Sequence, residues 1–142
     1  MADMQFSLDF PGSPKAVRHV LTDIRGRAKE GGSGPDTVGQ IEIVLAEVLN
    51  NVVEHALRHE EEGEIHLRAT HTAQGWHFDI RDTGVPIPGG LVPRPDLPSP
   101  DCPLRDLPEG GFGWAIVNML ARELSYVRAD GCNHLSFSIP ES

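Results

Sequence analysis

The segment that most constrains this chain is a helix whose centre mixes aliphatic residues with carboxylates and amides, EIVLAEVLNNVVEHA, residues 42–56. With about 3.6 residues per turn, positions four apart differ by roughly 40° around the axis and positions seven apart by roughly 20°. Glu47, Asn51 and Glu54 therefore form one polar stripe, with Asn50 beside it. A helix with so many aliphatic residues around that stripe is expected to be covered on two sides. The aliphatic positions are Ile41, Val44, Leu45, Val48, Leu49, Val52 and Val53.

The polar stripe has two interpretations, an ordinary solvated face or a set of ligands. Its residue types favour ligands, because asparagine is a mediocre helix former and two adjacent asparagines in mid-helix suggest a cation ligand or a polar network. Glu47 lies one turn from Asn51, so a carboxylate base stands beside a neutral oxygen ligand. This combination suits Mg²⁺ and phosphoryl chemistry.

The order of the remaining patterns predicts an α+β fold. Along the chain we find a strand, two helices, a hairpin, a long loop, a third helix and a second hairpin. The first helix begins at the Ser13-Pro14 cap and ends at Gly31-Gly32, and the second is expected to run to about His59. Sequential strands predict a mostly antiparallel (mixed) sheet, covered on one face by about three helices. We therefore expect a two-layer sandwich that forms a single domain, residues 1–142.

The first hairpin brings a carboxylate to the end of an apolar strand face. In GWHFDIRD, alternation places Trp76, Phe78, Ile80 and Asp82 on one side. Asp82 is then either a turn residue that caps its own loop before Gly84, or a buried carboxylate that accepts a hydrogen bond from an amino group such as that of adenine. The strand pattern leaves both interpretations open.

A long proline-rich loop leads into a glycine-rich helix start. Residues 83–110 predict no regular element and hold eight of the chain's 12 prolines, so the loop is either functional or disordered. In the EGGFGW run that follows, Gly110, Gly111 and Gly113 could let backbone amides contact phosphate oxygens, although a flexible lead-in to a helix is the alternative. The apolar residues expected on one side of that helix are Ile116, Leu120 and Leu124.

Composition excludes several classes of function. The formal net charge is −9 and the 12 Lys and Arg are scattered, so direct nucleic-acid binding is not expected. No apolar run is long enough to span a membrane, and the N-terminus does not resemble a signal peptide. The two cysteines, Cys102 and Cys132, have no metal-ligand spacing, which favours a reducing, cytoplasmic setting.

His55 could line a pocket with Asn51, although a packed or exposed histidine is the simpler interpretation.

In their order and spacing, the three motifs resemble the GHKL ATPases, and within them the short anti-sigma-factor and serine-protein-kinase branch. The first family box, E-x-x-x-N on a helix, corresponds to Glu47 to Asn51. The second, D-x-G at a strand end, corresponds to residues 82–84. The third is a G-x-G run that opens a helix after a mobile lid, and it corresponds to GGFG with a lid at about residues 85–109. The resemblance covers nearly the whole chain.

The resemblance implies a role for each motif residue. Glu47 would be the general base, which orients a water or accepts the proton of a serine hydroxyl. Asn51 would hold Mg²⁺ through its side-chain oxygen, and Asp82 would accept a hydrogen bond from the adenine amino group of ATP. Gly84 would allow the base to approach. The glycines that would wrap the phosphates are Gly110, Gly111 and Gly113.

The activity implied is that of an ATP-dependent serine kinase that phosphorylates a STAS-type anti-sigma-factor antagonist and sequesters a sigma factor. A nucleotide-dependent binding switch without useful kinase activity is an alternative. A detached histidine-kinase catalytic domain is another, less favoured because 142 residues are not expected to leave room for a separate phosphoacceptor helix pair. Three features depart from the family pattern: Val85-Pro86 replaces a second glycine, the lid is unusually rich in proline, and no Arg or Lys is adjacent to GGFG. Arg105 is the nearest basic residue that could reach a γ-phosphate. Whether the chain forms a homodimer is left open.

Overall fold

A computed structural model describes residues 4–58, 63–93 and 112–142. Five strands form one sheet in the order β1-β2-β3-β5-β4, and each of the described pairings is antiparallel. The predicted α+β fold with a mostly antiparallel sheet is confirmed. The strands are β1 (Met4–Pro11), β2 (Glu64–Thr72), β3 (Gly75–Asp82), β4 (Arg122–Ala129) and β5 (Cys132–Pro140).

Within the described ranges, one face of the sheet is covered by three helices: α1 (Pro14–Glu30), α2 (Pro35–Asn51) and α3 (Phe112–Leu120). A π-helical turn (Val52–Ala56) continues α2, and a short 3₁₀ turn (Pro88–Gly90) lies in the loop after β3. The cap predicted for α1 is present, since the Ser13 hydroxyl accepts a hydrogen bond of 3.1 Å from the Ala16 amide. None of the helices in the described part of the chain is long and apolar enough to cross a membrane.

The second helix ends earlier than the predicted boundary at His59. Its α-helical part stops at Asn51, and the π turn closes with a hydrogen bond of 2.8 Å from the Leu57 amide to the Val52 carbonyl. Arg58 then adopts a φ of 52°, in the left-handed region. L-residues rarely occupy this region, and a residue in it cannot continue a right-handed helix. The wide turn and this residue end the helical segment.

The prediction that Leu124 lies on the third helix is wrong. The last helical hydrogen bond of α3 runs from the Ala121 amide to the Val117 carbonyl, and the chain enters β4 at Arg122. Leu124 therefore packs against the core from an edge strand. The helix cannot continue because Arg122 already pairs with Ser138 of β5, and Leu124 lies in an irregularity of that pairing between Arg122 and Ser125.

The core lies between α2 and the covered face of the sheet. All seven aliphatic positions predicted to surround the polar stripe are buried. The helix α2 packs against both α1 and α3, so its expected two-sided cover is confirmed. Trp76 and Phe78 anchor the sheet side, and the Trp76 indole donates a hydrogen bond of 2.9 Å to Ser33 Oγ. This packing holds the polar stripe at one end of the core.

Candidate functional site

A cleft of about 550 Å³ lies between the C-terminal end of α2, the ends of β3 and β5 and the loop after β3. Its volume falls within the range of small-molecule sites, about 300–1,000 Å³. Aliphatic side chains such as Val48 and Ile80 line one part, and Trp114 contributes an aromatic wall. A more open depression of about 590 Å³ on the uncovered sheet face contains none of the motif residues. The cleft that contains Asn51 and Asp82 is therefore the candidate site.

Asp82 is buried at the floor of the cleft, with 3% of its surface exposed. Its Oδ1 accepts hydrogen bonds from the Gly84 amide (2.8 Å) and from Asn133 Nδ2 (3.0 Å). Among the described residues Oδ2 accepts no hydrogen bond, so it is the atom available to a ligand. Asp82 therefore caps its own turn and also lines a cleft, and its role in binding an amino group stays a prediction.

Burial in the cleft raises the pKa of the Asp82 carboxyl above its ordinary value, because the charged form loses solvation. Hydrogen bonds from Asn133 and from the Gly84 amide act in the opposite direction, as do the positive charges of Arg128 and His134. Desolvation is the largest of these effects. The carboxylate is thus a strong acceptor in a poorly solvated position, which suits recognition of an N–H group.

Glu47 and Asn51 lie one turn apart but face different surroundings. Asn51 lines the cleft, and its Nδ2 donates a hydrogen bond of 2.8 Å to the Glu47 carbonyl. The side-chain oxygen of Asn51 is therefore the atom that can serve as a ligand. The Glu47 carboxylate does not line the described cleft and lies instead against Gly113, at the first turn of α3.

Glu54 and His55 project from the π turn and line the cleft as exposed side chains. The π turn thus brings Glu54 and His55 to the same cavity as Asn51. Such turns occur frequently at functional sites. His55 lines the cleft and is also an exposed histidine, so parts of both of its interpretations are confirmed. Arg58 follows the turn and is the one Lys or Arg among the described residues that line the cleft.

Gly84 is required by packing behind the cleft. A Cβ at this position would collide with the carbonyl group of Ala56, which also accepts a hydrogen bond of 2.8 Å from the Val85 amide. The φ of Gly84 is not in the left-handed region, so the constraint is the close approach of two backbones. This contact ties the turn after β3 to the end of the π turn.

Substitution of the two motif glycines by alanine is expected to have different effects on the stability of the protein. Gly84→Ala should destabilise the protein by about 1–3 kcal/mol, because the rigid Ala56 carbonyl cannot move aside. Gly113→Ala should leave stability unchanged or slightly raised, because its Cβ would meet only the flexible end of Glu47. Urea unfolding of both variants checks this. Equal stability of Gly84→Ala and wild type would show that the close approach has no energetic role.

The amino-acid sequence of this chain is similar to those of known proteins. The chain matches the histidine kinase-like ATPase domain over residues 10–139. It is 35% identical over 99 residues to the serine/threonine-protein kinase BtrW of Bordetella bronchiseptica, an alignment that covers 68% of each chain. The chain belongs to the histidine kinase-like ATPase domain family. The expected membership of the GHKL ATPases, in their short kinase branch, is confirmed.

The fold of this histidine kinase-like ATPase domain is also similar to a solved structure of the RsbU and RsbW domains of Rv1364c from Mycobacterium tuberculosis. The TM-score is 0.62 at 17% identity, and the match covers the whole of this chain and 34% of that one. At this identity the likeness concerns the fold alone.

The structure brings together part of the site predicted for this ATPase domain. Asn51 and Asp82 line one cleft. Glu47, one helical turn before Asn51, contacts Gly113. Gly84, in the turn after β3, packs against the backbone of Ala56. The rest of the predicted site lies outside the described residues: Gly110, Gly111, Arg105 and the greater part of the lid, residues 94–109.

Sequence reasoning missed Asn133, a buried residue on β5 that lies directly opposite Asp82. Strand alternation could have identified it, because Asn133 lies on the same buried face of β5 as Leu135, Phe137 and Ile139. It therefore ends an apolar strand face in the same way as Asp82 ends that of β3.

Proposed function

We propose that this protein is an ATP-dependent serine kinase that phosphorylates a STAS-type anti-sigma-factor antagonist and sequesters a sigma factor. Family membership implies ATP as the ligand, and the relative named as a serine/threonine-protein kinase supports kinase activity. The observation that carries the proposal is that Asn51 and Asp82 line one cleft, while Glu47 lies one helical turn before Asn51 and contacts Gly113. The same relative favours serine over histidine as the phosphorylated residue.

Each of the three residues has a chemical role in this proposal. Asp82 accepts a hydrogen bond from the adenine amino group through Oδ2. Glu47 accepts the proton of the attacking serine hydroxyl, so the serine oxygen forms its bond to the γ-phosphorus as the bond to ADP breaks. The contact of Glu47 with Gly113, in the first turn of α3, supports this role, because phosphates would bind at a helix N-terminus.

Asn51 would hold Mg²⁺ through its side-chain oxygen, and the metal would neutralise phosphate charge. No cluster of three or more acidic, His or Cys side chains suited to a metal occurs in residues 4–58, 63–93 and 112–142. Mg²⁺ is commonly held by one or two carboxylates together with substrate phosphates and waters, and Asn51 would supply a neutral oxygen in place of a carboxylate.

A nucleotide-dependent binding switch is the second candidate function. The observation that favours it is that the Glu47 carboxylate lies against Gly113 and does not line the described cleft. A switch needs the nucleotide cleft and a partner surface but no positioned base. Phosphate transfer separates the two candidates, because only the kinase transfers the γ-phosphate to a serine protein.

Nucleotide binding is tested by thermal unfolding with Mg²⁺-ATP and Mg²⁺-GTP. A ligand that binds only the folded state at about 100 times its dissociation constant adds roughly 2.7 kcal/mol, or roughly 5–10 °C for a domain of this size. We expect this shift with ATP and a smaller one with GTP. No shift at millimolar ATP would contradict nucleotide binding, and a shift without transfer from labelled ATP to a STAS-type protein would support the switch.

A further inference from the structure

Asn133 occupies a buried position between the base-reading carboxylate and the loop that follows it. It lies on β5 opposite Asp82, and 4% of its surface is exposed. Its Nδ2 donates hydrogen bonds to Asp82 Oδ1 (3.0 Å) and to the Val85 carbonyl (2.9 Å). Its Oδ1 accepts hydrogen bonds from the Tyr126 hydroxyl and from Arg128 (3.1 Å).

These contacts determine the orientation of the Asn133 amide. A carboxylate can only accept and a guanidinium can only donate. Asp82 therefore requires the Nδ2 side, and Arg128 requires the Oδ1 side. Both amide hydrogens and both lone pairs of Asn133 are used. Neither aspartate, which has no donor when ionised, nor serine, which has one, could make the same four hydrogen bonds.

The neighbours of Asn133 extend this network along the loop. The Arg128 guanidinium donates a hydrogen bond of 2.6 Å to the Gly84 carbonyl. The Tyr126 hydroxyl accepts a hydrogen bond of 2.9 Å from the Ile87 amide. Side chains of the β4–β5 hairpin thus bind three backbone groups of the loop: the Gly84 carbonyl, the Val85 carbonyl and the Ile87 amide. The same hairpin also binds the Asp82 carboxylate through Asn133.

We propose that Asn133 is a positioning residue that selects adenine through Asp82. Asn133 donates a hydrogen bond to Asp82 Oδ1, so that Asp82 Oδ2 remains free to face the cleft. Asn133 also holds the first residues of the loop after β3 in place around the base. This inference rests on nucleotide binding in the proposed function and is independent of phosphate transfer. Asn133 acts without contact to the reacting atoms, so its effect falls on affinity and base preference.

Asn133→Asp is the sharpest test, because it keeps the shape of the side chain and removes both donors. Two carboxylates then face each other, and the pair retains a proton to higher pH than Asp82 alone. We expect ATP affinity to fall by about 10- to 100-fold at neutral pH, as for a lost hydrogen bond to a charged group. As the pH falls, ATP affinity should recover in this variant and weaken in the wild type.

Two milder variants and a control keep the test independent of folding. Tyr126→Phe removes one support of the Asn133 amide and should lower ATP affinity less than Asn133→Asp. In Asn133→Ala, carboxyl NMR of the nucleotide-free protein should show a higher pKa of Asp82 than in the wild type, because a hydrogen bond to the charged form is lost. Ser136→Ala, on the outward-facing side of β5, should change neither the ATP affinity nor the pKa of Asp82.

The outcomes separate the inference from the proposed function. Weaker ATP binding with a reduced preference over GTP, together with the shifted pKa, would support the positioning role. Unchanged base preference or an unchanged Asp82 pKa would overturn it, even if the variants melt at lower temperature. Absence of ATP binding by the wild type would overturn it together with the nucleotide assignment. Loss of phosphate transfer alone would contradict only the kinase.

Discussion

Replacing Glu47 by glutamine is expected to lower phosphate transfer by about 10²- to 10⁴-fold, the range for loss of a general base. Glutamine keeps the size of the side chain, so the contact with Gly113 and the helix should be retained. ATP affinity should therefore change by less than about threefold, because the base acts on the serine proton in the transition state. Single-turnover transfer from labelled ATP, with affinity measured separately, checks both parts.

Two further glutamine variants on the same helical segment sharpen this experiment. Glu42→Gln removes a carboxylate that pairs with Arg25 at 3.3 Å, away from the cleft, and should transfer phosphate at the wild-type rate. Glu54→Gln removes the other carboxylate of the polar stripe, which lines the cleft. If Glu54→Gln loses transfer and Glu47→Gln does not, the base is Glu54 and the assignment of Glu47 is wrong.

Replacing Asp82 by asparagine is expected to weaken ATP binding by about 10- to 100-fold without loss of stability. Both groups that bind Oδ1, the Gly84 amide and Asn133 Nδ2, are donors, so the amide oxygen of the new side chain must stay on their side. The NH₂ group then replaces Oδ2 and faces the adenine amino group, donor against donor. GTP has a carbonyl at the corresponding position of its base and should be affected less.

The same substitution is expected to change how stability depends on pH. Because the pKa of Asp82 is raised on folding, the folded protein binds this proton more tightly than the unfolded chain. The resulting stabilisation is fully present below the ordinary aspartate pKa and is lost as the pH rises through the raised value. Asp82→Asn should remove this dependence and unfold at equal or higher urea concentration at neutral pH.

Urea midpoints measured from acidic to neutral pH, together with ATP and GTP titrations, check the Asp82 prediction. Equal ATP affinity in the variant and the wild type would show that the carboxylate does not read the base. A large loss of stability at neutral pH would instead show that the negative charge of Asp82 supports the fold.

Local patterns predicted most of the fold and part of the site. Ser13 and the paired glycines after α1 identify helix ends because capping depends on adjacent residues. Asp82 could be found because strand alternation carries a polar residue onto a buried face within eight positions. Asn51 could be found because one helical turn relates it to Glu47.

Features that depend on distant contacts could not be predicted in the same way. Asn133 meets Asp82 across 51 residues of chain, and the pairing of β3 with β5 follows from topology that no local spacing encodes. The end of α3 depends on competition between helix and sheet pairing at Arg122. The packing constraint on Gly84 comes from the carbonyl group of Ala56, 28 positions earlier in the chain, so no local pattern indicates it.

The π-helical turn after Asn51 holds one residue more than an α-helix of the same span. Loss of one residue within positions 52–56 can therefore be absorbed by a change to α-helical winding, with the flanking segments kept in place. Loss of one residue between Glu47 and Asn51 would instead rotate these side chains by about 100° relative to each other. Length differences among homologous chains should accordingly fall in this turn, and alignments of the family should allow a gap there, inside a helix.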